Sequence, residues 1–436
     1  MSASSKATAK AAWPNGRDTI LFVEKIPAGT IPSIERYGKE TGRRFKVALI
    51  YDARYPEHAE SGDALKADQL IACDFSSVKS IRDSILPIEH DLLAITCRWE
   101  GMMSKFKAII PHVPYLRTPT ESSITWSTDK LEMRRALRQY DKAISPKYTL
   151  VTGYNQKDLE RIKKQIGFPL VVKPTGLAQS LLVSICFHQE ELEKSLKRSL
   201  KAVAKVYKDR NSDEQPRILV EQFIEGTMYS IDAYVNARGS ISFCPLVHVK
   251  TGRDIGFDDF FGYRQMTPTT LSKESIKEAH TVAVKSIRAL GLRNTSAHIE
   301  LIRSDAGWKV VELGARLGGF RHELYNLTFG IDHALNDILT RIPEKPVIPG
   351  RKKGYAAAMK FFPLKEGTLT SIKGLKKAQL LESFRSITVN KKIGDHCLYA
   401  KNGGLSVFNI ILFNKDRSEL LADIRRLEQA VEMITE

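Results

Sequence analysis

Glu300 and Glu312 are the residues whose type and placement most directly suggest chemistry. Each lies in an alternating segment, His298-Ile299-Glu300-Leu301-Ile302-Arg303 and Trp308-Lys309-Val310-Val311-Glu312-Leu313, and Ser304-Asp305-Ala306-Gly307 joins the two. The pattern predicts a hairpin. If Asp305-Ala306-Gly307 form a three-residue loop with Gly307 left-handed, Ser304 pairs with Trp308 and Glu300 falls opposite Glu312. Like charges opposed on a sheet are destabilising unless a cation lies between them. Two hard oxygen ligands suit magnesium, which keeps several waters and usually shares its carboxylates with substrate phosphates. The pair alone fits a solvated sheet face equally well, and His298 reads as a packing or hydrogen-bonding residue rather than a ligand.

The segment Gly314-Ala315-Arg316-Leu317-Gly318-Gly319-Phe320-Arg321-His322 follows directly. Arg316 there can neutralise a transferring phosphoryl group or a developing oxyanion. Gly318 and Gly319 let the backbone approach a substrate. Upstream, Leu170-Val171-Val172-Lys173-Pro174 reads as a buried strand ending in a lysine, then the loop Thr175 to Ser180, then a second strand. A nucleotide loop of the Gly-Lys-Ser/Thr kind would open a helix instead, so phosphate binding here would rest on a hairpin tip folding over a nucleotide. Val220-Glu221-Gln222-Phe223-Ile224-Glu225-Gly226 reads as an edge strand between lobes, a place where backbone groups can meet an adenine ring.

These residues need a multi-lobed scaffold, and 436 residues with 42% hydrophobic content supply one of two to four lobes. Strands at Ile20–Glu24, Val47–Tyr51, Gln69–Cys73 and Asp91–Thr96, separated by helix-length segments, predict an N-terminal parallel α/β lobe. It lacks GxGxxG, so no dinucleotide site is expected there. A Pro-rich connector, Pro111 to Pro119, leads to a helix starting near Ser127-Thr128-Asp129, capped by Thr128 or Asp129. Then come helix Gln156–Ile166, strand Leu181–Phe187, strand Arg217–Phe223, strands Tyr229–Asn236 and Ser240–His248, helix Lys273–Leu290, and a closing helix Arg417–Ile434.

The net charge of +17 admits a nucleic-acid or polyanion partner. Its densest cluster, Lys194 to Lys208, recurs at helical spacing beside Leu196, Leu200 and Val203, most simply as the solvated face of an amphipathic helix. Aromatic residues are not interleaved with it as single-stranded nucleic-acid binding usually requires. Five widely spaced cysteines predict reduced, buried thiols. No apolar run is long enough to span a membrane, and residues 1–18 have no secretory core. A cytoplasmic protein is expected.

Taken together, Asp129-Lys130, VVKP at Val171–Pro174, VEQFIEG at Val220–Gly226, HIE at His298–Glu300 and ELGARLGG at Glu312–Gly319 resemble the ATP-grasp superfamily over nearly the whole chain. Among its members they are most similar to the amino-acid ligases that make dipeptides. The resemblance implies a mixed α/β and α+β fold with five segments: a tail at 1–18, a parallel α/β lobe at 19–125, a lid and small lobe at 126–226, a large lobe with the metal site at 227–345, and a C-terminal subdomain at 346–436. It implies an ATP-dependent, ADP-forming carboxylate-amine ligase acting through an acyl phosphate, with magnesium, replaceable by manganese, as cofactor. Small carboxylates and amines would be the substrates, with neither nucleic acid nor membrane as partner and a homodimer as one permitted assembly. Carboxylase-type and purine-pathway members share these motifs and stand as the alternative.

By the same resemblance Lys130, Lys173 and Lys250 contact ATP phosphates, Ser180 covers the triphosphate, and Glu221, Phe223 and Ile224 face adenine. Glu300 and Glu312 bind the metal, Arg316 acts at the reacting centre, and Arg316, Gly318, Gly319 and His322 contact substrate. Two positions depart from the family pattern. Met228 stands where many members place a ribose-binding glutamate, and Gly314 where many place an asparagine metal ligand.

Overall fold

The computed structural model describes residues 16–60, 62–178, 180–209 and 215–436. The expected N-terminal tail therefore lies, apart from Gly16–Asp18, outside the described residues, as does Gln179 of the phosphate loop. The chain divides into two compact units, one of Met1–Thr118 with Ala334–Pro346 and one of Pro119–His333 with Val347–Glu436.

The first unit carries a parallel four-stranded sheet in the order Gln69–Cys73, Lys46–Asp52, Thr19–Val23, Leu92–Thr96. The inner strand Thr19–Val23 and the edge strand Leu92–Thr96 are buried along their whole length, as parallel strands covered on both faces must be. Ile338 of the returning segment Ala334–Pro346 joins Ile20, Phe22 and Ile34 in the core. That segment was expected to belong to the large lobe. Its buried Asp337 explains the difference, because its carboxylate accepts from Thr96 Oγ1 at 2.6 Å and Arg98 Nε at 3.2 Å.

The second unit contains two antiparallel sheets that bear on function. The smaller runs Tyr148–Leu150, Ile218–Gln222, Leu170–Pro174, Ser184–Cys186. Helices Gln156–Gln165 and Gln189–Asp209 bury Leu159, Ile162, Leu192 and Leu196 against it. Lys194, Lys197, Arg198, Lys201, Lys205 and Lys208 are all exposed on the second helix, which is the solvated face the spacing predicted.

The larger sheet, nine strands among the described residues, has as its main order Gly307–Gly314, Thr295–Ser304, Thr227–Val235, Val247–Thr251, Gly262–Thr267, Tyr355–Phe361, Phe408–Asn414, Phe384–Val389. The five cysteines are free and buried. No helix among the described residues is long and apolar enough to cross a membrane.

Four local expectations change. The strand Leu181–Phe187 shortens to Ser184–Cys186, because Ser180 and Leu182 take left-handed φ of 62° and 58° at the hairpin tip. The strand Ser240–His248 splits into Ile241–Phe243 and Val247–Thr251, Pro245 lying in the gap with no N–H to give a ladder. Thr128 ends a helix, Glu121–Thr128, that Thr120 caps through Ser123 N, and Asp129 alone caps the next. The last helix stops at Ala430, since Glu432–Thr435 pairs with Gly367–Lys373 as a strand. The β-branched Ile434 and Thr435 favour that state.

Candidate active site

The hairpin of Glu300 and Glu312 has the opposition that alternation predicts, reached by a different route. Ser304 pairs with Gly307, so the turn is Asp305-Ala306 and one residue shorter than expected. A bulge between Glu300 and Leu301 then adds Val311 as an extra residue, and Glu300 ends opposite Glu312. A bulged residue leaves the ladder, and the Val311 carbonyl accepts from Arg134 Nη2 at 2.5 Å. Gly307 is left-handed at φ 89°.

Each carboxylate has its own cationic neighbour. Lys130 Nζ lies 3.2 Å from Glu312 Oε1 and donates to the Leu177 carbonyl at 2.8 Å. Asp129 fixes Lys130 at the helix start by accepting from Leu131 N at 2.8 Å. Glu300 Oε1 lies 3.7 Å from His298 Nε2. Burial pushes the Glu300 carboxyl up, but His298, Arg316 and Arg321 outweigh it and leave it below its ordinary range.

Lys173 is buried and its Nζ lies 2.8 Å from Glu221 Oε2. Arg134 forks onto the same carboxylate, Nε to Oε1 at 2.8 Å and Nη2 to Oε2 at 3.1 Å. Burial raises the Glu221 pKa, yet Arg134 and Lys173 prevail and hold it at about 2. The Glu221 carboxylate is thus held by two internal cations, Arg134 and Lys173. Phe223 and Ile224 are both half-buried just past the strand. Ser180 sits at the hairpin tip, where its carbonyl accepts from Val183 N at 3.1 Å.

Lys250 lies on a different face from the one expected. His248 pairs with Tyr229 and Val249 with Met228, while Glu300 pairs with Ser230 and Ile302 with Met228. Side chains alternate across a strand, so Lys250 shares the His248 face, opposite the one that carries Glu300. A phosphate bound at the carboxylate pair lies on the other side of the sheet.

The glycine turn is fixed from beneath by a buried acid, Asp232, that no motif or spacing singles out. Asp232 accepts from His298 Nδ1 at 2.7 Å, His333 Nε2 at 2.9 Å and Gly318 N at 2.7 Å. Burial raises its carboxyl and the two histidines more than reverse that, holding it well below the ordinary carboxylate range. His298 responds oppositely, lowered by burial but raised overall by Asp232. Arg321 reaches Gln265 Oε1 and Ser230 Oγ, each at 2.6 Å. Arg316, Gly319 and His322 lie at this turn, Arg316 and His322 half-buried and Gly319 exposed.

A Cβ on Gly318 would collide with His298 Nδ1 and come 2.7 Å from Arg321 Cγ, whereas one on Gly319 meets nothing within 4 Å. Gly318→Ala is therefore expected to cost ~1–3 kcal/mol and to lower turnover more than ~tenfold by shifting the turn that bears Arg316. Gly319→Ala is the control and should leave urea unfolding unchanged; equal behaviour of the two variants would refute the steric argument.

An ATP-grasp domain profile matches residues 166–323. An uncharacterized protein, y4rH, of Sinorhizobium fredii (strain NBRC 101917 / NGR234) is 26% identical over 291 residues, covering 64% of this chain and 56% of that protein. An alanine–anticapsin ligase of Bacillus subtilis (strain 168) is 27% identical over 198 residues, covering 42% and 41%. The chain thus spans about half the length of the curated relatives it matches. The crystal structure of an L-amino acid ligase from Bacillus licheniformis superposes with a TM-score of 0.74 at 18% identity, covering 97% of this chain and 100% of that one. Residues 166–323 match an ATP-grasp domain, and the chain has the ATP-grasp fold, with an L-amino acid ligase among the structures it resembles.

Proposed function

We propose that the protein is an ATP-dependent carboxylate-amine ligase that forms an amide or peptide bond, with amino acids as substrates. The observation that carries this reading is the Glu300–Glu312 opposition with Lys130 on one of its members. Two opposed carboxylates and two nearby lysines fit a hard divalent cation bound together with a polyphosphate. Glu300 and Glu312 would hold magnesium, or manganese, which when bound offsets charge on the transferring phosphoryl group.

The chain's own groups do the rest by position and charge. Lys130 and Lys173 pair with phosphate oxygens, and Glu221 with Arg134 keeps Lys173 aimed. A substrate carboxylate attacks the γ-phosphorus, ADP leaves, and the resulting acyl phosphate is attacked by the amine with release of phosphate. Arg316 stabilises the oxyanion of the tetrahedral intermediate. The hairpin tip at Ser180 covers the triphosphate and excludes water that would hydrolyse the acyl phosphate.

The test is an ADP-release screen over pairs of amino acids, with Glu312→Ala as control. Amine-dependent release is expected for at least one pair and should fall ~10³-fold in the variant. No amine-dependent release removes the ligase reading, and equal release from Glu312→Ala removes the metal assignment. Release that depends on bicarbonate instead would favour the carboxylase-type alternative.

A further inference from the structure

Lys360 lies on the strand Tyr355–Phe361, where Ala358 pairs with Gln265 and Met359 with Arg264. Alternation puts Lys360 on the side of Ala358 and Gln265, the sheet face that also carries Ser230, Asp232 and Glu300. Its ammonium stands 5.6 Å from the centre of the Phe320 ring. Phe320 is the left-handed residue, φ 59°, between Gly319 and Arg321 of the glycine turn.

The side chain is half-buried, and no ion pair among the described residues uses it. Burial and Arg321 lower its proton affinity, and Glu300 offsets part of that. A desolvated ammonium beside an arginine, with no carboxylate of its own, is costly until an anion arrives.

The strand of Lys360 is not a neighbour of the strands that carry Glu300 and Glu312. Five steps across the sheet divide the strand of Lys360 from that of Glu312. At ~4.8 Å per step, the backbone of Lys360 stands well apart from the Lys130–Glu312 contact, while its ammonium reaches to within electrostatic range of Glu300. The carboxylate to be activated must reach the metal pair, so the group left for Lys360 is one that the reaction does not consume.

We propose that Lys360, over the Phe320 ring, binds the carboxylate that the amine substrate keeps, and so selects α-amino acids over simple amines. This rests on the ligase reading, which it deepens.

The test is calorimetric binding of the proteinogenic amino acids, and of their carboxamides, to the whole protein with Mg-ADP, alongside amine-dependent ADP release. Lys360→Gln should weaken amino-acid binding at least ~10-fold and carboxamide binding less than ~2-fold. Lys360→Arg should restore the amino acids to within ~3-fold, because it keeps the charge. Equal weakening of acids and carboxamides, an unchanged preference, or no amino-acid binding by the unsubstituted protein would each overturn the inference. Lys360-dependent binding without ADP release would uphold the carboxylate site while removing the ligase reading.

Discussion

Arg134→Ala is expected to destabilise the protein by about 3–5 kcal/mol, the range for removing one partner from a buried ion pair. The guanidinium is 1% exposed and bridges three elements, its own helix Lys130–Tyr140, the strand of Glu221 and the bulge carbonyl of Val311. Its loss leaves Glu221, itself 4% exposed, with Lys173 as sole counter-charge. Arg134→Lys should recover less than half the loss, because a single ammonium cannot reproduce the two-pronged contact and reach Val311 as well. Urea unfolding at neutral pH measures both. A loss under ~1 kcal/mol for the alanine variant would show the cluster to be energetically idle.

The same cluster predicts an acid limit. The Glu221 carboxyl is moved from 4.5 to about 2 in the folded protein, against burial, by Arg134 and Lys173. A depressed folded pKa contributes stability that is complete above the unfolded value and is lost as pH falls toward the folded one. Glu221 should therefore contribute roughly 3 kcal/mol at neutral pH, lost between about pH 4.5 and 2. In Arg134→Ala that contribution should be smaller and its loss complete at a higher pH, because removing one of the two stabilising cations raises the folded pKa toward the unfolded one.

Why the carboxylate pair was legible and Arg134 was not follows from chain distance and strand period. Glu300 and Glu312 lie on neighbouring strands of one hairpin, so alternation and a short turn suffice to oppose them. Even so, the turn is one residue shorter than alternation implies, and the bulge at Val311 restores the register. Arg134 meets Glu221 across 87 residues, and His333 meets Asp232 across 101, separations at which no local pattern speaks. A signal did exist: Lys130, Arg134 and Leu137 recur at i, i+4 and i+7, which sets an arginine on a helix's buried face. Its neighbour Arg135 shows the contrast, with a side chain 57% exposed. Lys250 failed for the complementary reason. Its strand was recognised, but which face a side chain takes depends on pairing with Thr227–Val235, and one residue of offset reverses it.

Glu300→Gln should separate catalysis from folding more sharply than any other substitution at the site. If the pair exists to hold a cation, removing one charge relieves repulsion between opposed acids, and the fold has little reason to suffer. Gln keeps the shape and one acceptor oxygen, and His298 still has Asp232 as its principal partner at 2.7 Å. Unfolding free energy without metal should therefore change by less than ~1 kcal/mol, while ADP release falls on the order of 10³-fold. A third reading ties the two together. Mg-ATP should raise the melting temperature of the unsubstituted protein, because a ligand that binds only the folded state stabilises it by mass action. In Glu300→Gln that rise should shrink to what the nucleotide gives without a divalent cation. If the variant instead unfolds several kcal/mol more easily and retains its magnesium-dependent shift, Glu300 is a structural partner of His298 and the metal belongs elsewhere.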